Sequence, residues 1–344
     1  MTEYAVERTA SAIRVGARPP HPERTALVEA RGALLFWDVL DPRAHPAADV
    51  WDPVLAADWL WEVYGPDAAD AILNGHGSVA ADRTSPVLDA ARDLAHLTWA
   101  AAWWPASHAA AVPALPEGIL RAETAWRTAA LEHLLDDEDA VERALTGVDL
   151  AAVAAYGSDP DIGRAMTELE ATLTDLAESF GIELRSAART ARDDWALAAG
   201  GTTGDLVIAS GGTPVDWSPV PQGLLDAAGE STWQLAQRAA EWVLTVSAPA
   251  APGARPAELT AVLDTVEIPL RFDRGANAFT GEALAPPDVA TRLARGLRMR
   301  IHAPGYPAAT DPDQARLRAD IIEFARRRLT APDATLTETA AGLR

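Results

Sequence analysis

At 344 residues and 49% hydrophobic content, the chain is long enough for two domains of ordinary size and apolar enough to bury a core, which separates it from disordered proteins. A net charge of −21, from 50 acidic against 29 basic residues, gives a surface that repels phosphate backbones and anionic bilayers, so neither nucleic acid nor membrane is an expected partner. Cysteine is absent, which removes disulfides, thiol nucleophiles and thiolate zinc sites, and lysine is absent too, which removes Schiff-base chemistry and the lysine of a P-loop.

All 29 basic residues are arginine, and with alanine abundant this is how a GC-rich genome writes protein, an actinobacterial one by expectation. The opening MTEYAVERTA lacks the basic-then-apolar order of a signal peptide. The most apolar window, residues 94–115, is interrupted by His96, Pro105, His108 and Pro113. A cytoplasmic protein is the expectation.

In chain order, residues 3–15 and 24–40 read as helices around a proline-rich break at Pro19, Pro20 and Pro22, although Leu35, Phe36, Trp37 and Val39 suit a strand equally well. Asp52 and Pro53 start a helix that Gly65 closes, and Pro66 starts another that stops at Asn74 and Gly75. Ser85 is an N-cap with Pro86 at the first helical position, and Leu88, Ala91, Leu94, Ala95, Trp99 and Ala102 follow at helical spacing. The polar strip of this arm, Asp89, Arg92, Asp93 and His96, stops short of Leu97; from there to Trp104 only Thr98 is polar, so that end needs a cover. A second arm, 117–135, carries Ile119, Ala122, Trp126 and Ala130 on one face and is expected to lie antiparallel to the first. Short helices at 139–145 and 150–156, an amphipathic one over 161–180 stopped by Gly181, and a last one near 183–198 complete the helical expectation.

After GGTTGD the pattern turns to strands: LVIAS, EWVLTVSAP, ELTAVLDTV, EIPLRFD, AFTGEALAP and LRMRIHAP. GLLDAAGESTWQLAQ suits either a helix or the approach to a strand, and DRGANA reads as a hairpin link in which Gly275 and Asn277 can take positive φ. Asp311 and Pro312 start a final helix with Leu317, Ile321, Phe324 and Leu329 along one edge. The expected fold class is α+β and multidomain: an N-terminal all-α, Trp-rich helical domain over 1–200, a C-terminal β-sandwich (Ig-like or transthyretin-like) over 201–310, a terminal helix over 311–330, and a mobile tail over 331–344.

No catalytic signature assembles from the sequence. Asp93 and His96 sit one turn apart on one arm and Glu132 and His133 end the other, so antiparallel arms would bring carboxylate and imidazole together as metal ligands or an acid–base pair. Against that, Glu132 and His133 are neighbours that point about 100° apart on a helix, and no Glu-x-x-His or His-Glu-x-x-His element is present. The glycine-rich GGTTGD and SGGTP lack the Gly-x-Gly-x-x-Gly order, Ser210 and Ser218 lack a Gly-x-Ser-x-Gly surround, and the acidic run 136–139 suits capping of the helix that follows it. Seven of the 12 tryptophans fall between Trp51 and Trp126, and Trp99, Trp103, Trp104 and Trp126 are the candidate binding residues, because a flat ring gives contact area at low entropy cost.

The functional expectation is a non-catalytic interaction or accessory protein of a bacterial multi-protein system. It would bind another protein or peptide, encoded in the same gene cluster, through the Trp-rich helices and the β-sandwich, with no cofactor and no metal. The alternatives are an acid–base or metal-dependent enzyme using Asp93, His96, Glu132 and His133, and a small-molecule sensor with an aromatic pocket.

Overall fold

The computed structural model describes residues 2–41, 44–75, 77–81, 84–184, 206–238, 241–263, 265–286, 299–306 and 314–343. The chain divides into two compact units: Met1–Trp103 with Leu115–Arg189 and Leu329–Arg344, and Trp104–Ala114 with Thr190–Arg328.

The first unit opens on strands, which overturns the expected all-α N-terminal domain. β1 (Thr2–Arg8), β2 (Ile13–Val15), β3 (Thr25–Ala30), β4 (Ala33–Asp38), β5 (Ala47–Val50) and β6 (Ser78–Ala81) form one antiparallel sheet in the order β3-β4-β5-β2-β1-β6. In β3 burial alternates, with Ala26, Val28 and Ala30 inward and Leu27 and Glu29 outward, so the period is two once the neighbouring strand is in place. β4 buries Ala33, Leu35, Phe36 and Trp37, four of its six residues, and its apolar run ALLFW carries no period to separate strand from helix. Gly32 joins β3 and β4 at φ +76°, where a Cβ would also collide with the Asp52 carbonyl, so this hairpin requires glycine.

Helices flank the sheet. The stretch after Asp52 forms two short helices, α1 (Pro53–Ala56) and α2 (Leu60–Tyr64), and Asp52 caps the first by accepting from the Val54 and Leu55 N–H groups. α3 (Pro66–Asn74) ends at Gly75 in the left-handed region. α4 (Pro86–Trp103) is the Trp-rich arm, with Ser85 Oγ accepting from Leu88 N–H at 3.0 Å. α5 (Glu117–Ala130), α6 (Ala140–Thr146), α7 (Leu150–Ala154) and α8 (Gly163–Phe180) follow, and their core includes Ile119, Ala125, Leu145, Val153, Met166 and Leu173. Gly181 ends α8 at φ +67°, as its sequence position implies. The helix expected near 183–198 and the GGTTGD turn lie almost wholly outside the described residues.

The second unit holds β7 (Leu206–Pro214), β8 (Glu230–Arg238), β9 (Glu241–Pro249), β10 (Leu259–Leu263), β11 (Val266–Asp273), β12 (Ala278–Leu284), β13 (Met299–His302) and α9 (Gln314–Arg328). The seven strands pair antiparallel in one sheet, β13-β10-β11-β12-β9-β8-β7, curled as a half-barrel. The expected sandwich is thereby corrected: six of the seven strands fall in the expected stretches, but hydrogen bonding from strand to strand, with β12 beside β9 and β13 beside β10, joins them in a single sheet where a sandwich needs two. β8 settles the undecided stretch as a strand, and Asn277 takes φ +47° in the β11–β12 hairpin. A buried carboxylate, Asp226, holds the Ser107 hydroxyl at 2.5 Å and accepts from the His108 N–H at 2.8 Å and the Ala109 N–H at 3.3 Å. In α9, Leu317, Ile321 and Phe324 form the buried edge expected of them. The stretch expected as a mobile tail carries α10 (Leu336–Gly342), which belongs to the first unit.

Candidate functional site

The polar strip of α4 faces α5 and α10. Asp93 forms an ion pair with Arg127 of α5 at 2.8 Å, and the Arg127 guanidinium lies 3.8 Å from the centroid of the Trp126 ring. One turn on, His96 Nε2 lies 2.8 Å from the Glu338 carboxylate, and the imidazole stacks on Trp99 with centroids 5.6 Å apart. Glu338 is also the last member of a capping box: its second oxygen accepts from the Thr335 N–H while Thr335 Oγ1 accepts from the Glu338 N–H.

Glu123, buried on α5, meets the same helix end. Its carboxylate accepts from the Leu336 N–H at 3.0 Å, the Thr337 N–H at 2.9 Å and the Thr337 hydroxyl at 2.8 Å. A helix start leaves N–H groups without intrahelical partners, and here a side chain from another helix takes two of them. Burial pushes the Glu123 carboxyl above its ordinary value against the pull of those donors. Burial likewise pushes Asp93 up, opposed by Arg127, His96 and Arg92.

Between these elements lies a cleft of about 430 Å³, lined by Asp93, Glu123, Trp126, Arg127, Glu168 and Thr335 among others. That volume suits a side chain or a small molecule. Glu168 on its rim pairs with Arg164 at 2.8 Å.

Two of the expected site residues, Asp93 and Trp126, line this cleft, and His96 stands beside it. Glu132 and His133 do not converge on them: α5 ends at Ala130, Glu132 is exposed, and His133 Nε2 lies 3.1 Å from Glu62 of α2. Among the described residues no group of three His, Cys, Asp or Glu side chains is placed to hold a metal ion. Trp99 is buried with its indole N–H donated to the Glu23 carbonyl at 2.7 Å, so it packs and bonds inside the first unit. Trp104 is buried in the second unit and donates to the Pro113 carbonyl at 2.9 Å. Trp103 and Trp126 are half-buried.

Glu123, Arg127, Thr335 and Glu338 were not among the expected residues. The spacing Thr335-x-x-Glu338 carries the capping-box signal in sequence, and Glu123 is a carboxylate on the apolar face with Ile119 and Ala122; the Glu123–Thr337 and His96–Glu338 contacts, however, join residues 214 and 242 positions apart.

Compared with known protein families, curated proteins and solved structures, the chain matches none.

Proposed function

We propose that this protein is a non-catalytic partner-binding component and that the cleft beside Trp126 receives a segment of its partner. The cleft carries the reading: it is side-chain sized, has an aromatic wall, and is bordered by titratable groups that are engaged in holding α4, α5 and α10 together. An acidic surface of −21 keeps such a protein soluble and steers basic partners toward it. The test is coexpression with the products of adjacent genes, followed by mapping on an array of partner peptides. One peptide region should bind, and Trp126→Ala should weaken it by about tenfold, the size of an interface hot spot. Retention of full binding by the Trp126→Ala chain would remove the cleft from the reading.

The raised Asp93 carboxyl at the cleft wall supports an acid–base enzyme as the second reading. A turnover assay with Asp93→Asn separates the two: binding with no turnover in either chain favours the component, and turnover lost in the variant favours the enzyme.

A further inference from the structure

We infer that the α1–α2 face is a second docking surface, shaped for an amphipathic segment of a partner whose apolar anchors are flanked by arginine or lysine. Four large apolar side chains are exposed within one short stretch: Trp51 at 47%, Val54 at 79%, Leu55 at 37% and Trp61 at 44%. The backbone under them is held firmly. The Trp51 and Asp52 N–H groups both donate to the Gly32 carbonyl at 3.0 Å, Asp52 caps α1, and the neighbouring Trp59 is fully buried with its indole donated to the Arg31 carbonyl at 2.9 Å. The chain therefore buries one tryptophan of this stretch and presents the two on either side of it to solvent. A rigid platform that displays aromatic rings loses little entropy when a partner covers them.

Charge identifies the occupant. From Ala44 to Asp82 the sequence holds seven carboxylates and neither arginine nor lysine. Asp49 is buried and paired with Arg14 and Arg18, and Glu62 faces His133, while Asp58, Asp67 and Asp70 are exposed. Arg31, whose carbonyl accepts the Trp59 indole, sits on the β3–β4 turn, and the Arg8 guanidinium donates to the Leu73 carbonyl at the far end of α3. A second copy would bring the same carboxylates against themselves, and an anionic bilayer would be repelled in the same way. A partner with apolar residues at helical spacing and a cationic rim meets both features at once.

This surface is separate from the Trp126 cleft, and the experiment keeps the two apart. The full chain is titrated with three labelled helical peptides of about 14 residues: a leucine/lysine amphipath, its leucine/glutamate analogue, and a glutamine/lysine peptide that keeps the charge and drops the apolar face. The leucine/lysine peptide should bind at least about tenfold tighter than either control, and the double variant Trp51→Ala/Trp61→Ala should lose about tenfold. Val54→Gln, which changes a side chain 79% exposed, should weaken binding in the same direction without disturbing the fold. Trp126→Ala should leave this binding unchanged, so failure of the cleft and failure of this face give different results. Equal binding of all three peptides, full binding by the tryptophan variants, or self-association of the free chain in sedimentation would each overturn the assignment.

Discussion

Glu123 shows how one side chain ties the last helix to the middle of the chain. Replacing it with alanine leaves the Leu336 and Thr337 N–H groups and the Thr337 hydroxyl without their acceptor at the wall of the cleft, which should cost about 2–3 kcal/mol in urea unfolding, and a loss below about 0.5 kcal/mol would mean α10 is held by other contacts. Asp93 gives a pH dependence of defined sign. Its carboxyl binds a proton more tightly folded than unfolded, so its contribution falls as pH rises from the ordinary aspartate value through the raised one. Unfolding free energies measured across that window should therefore decline for the wild type relative to Asp93→Asn. A difference that stays flat with pH would contradict the burial argument.

At the scale of elements, close helix approach is set by a single glycine. A Cβ on Gly118 of α5 would fall inside van der Waals contact of the Ala152 Cβ on α7, so the helices meet where one of them has no side chain. Gly118→Ala gains about 1 kcal/mol of helix propensity and loses about 1–3 kcal/mol to overpacking, a net loss of about 0–2 kcal/mol. The sharper readout is structural: amide exchange in α7 should accelerate in Gly118→Ala, and protection equal to wild type would show that the contact is slack. Together with α8 this pair builds the helical half of the first unit, where Ile119 of α5, Val153 of α7 and Met166 of α8 share one core.

For the molecule as a whole, charge is the controlling quantity. With −21 net charge, association of the leucine/lysine peptide should slow as salt is raised, since screening shortens to about 8 Å at physiological ionic strength. A salt-independent on-rate would show that burial of Trp51 and Trp61 acts without steering. No helix among the described residues is long and apolar enough to cross a membrane. What the sequence determined by itself is whatever depends on neighbours along the chain: the exclusions from missing cysteine and lysine, the Asp52 and Ser85 caps, the glycine stops at Gly75 and Gly181, the amphipathic α8, and the period-two strands of the second unit. The tertiary structure decided the rest. Residues 24–40 satisfy helix and strand alike until β3 and β4 pair with each other and β5 pairs with β4, and Glu123, His96 and Glu338 acquire their roles only when segments about 200 residues apart are packed together. Periodicity reports which face of an element is apolar, whereas strand pairing and the sharing of helix-end hydrogen bonds are settled by whichever distant segment comes to lie against it.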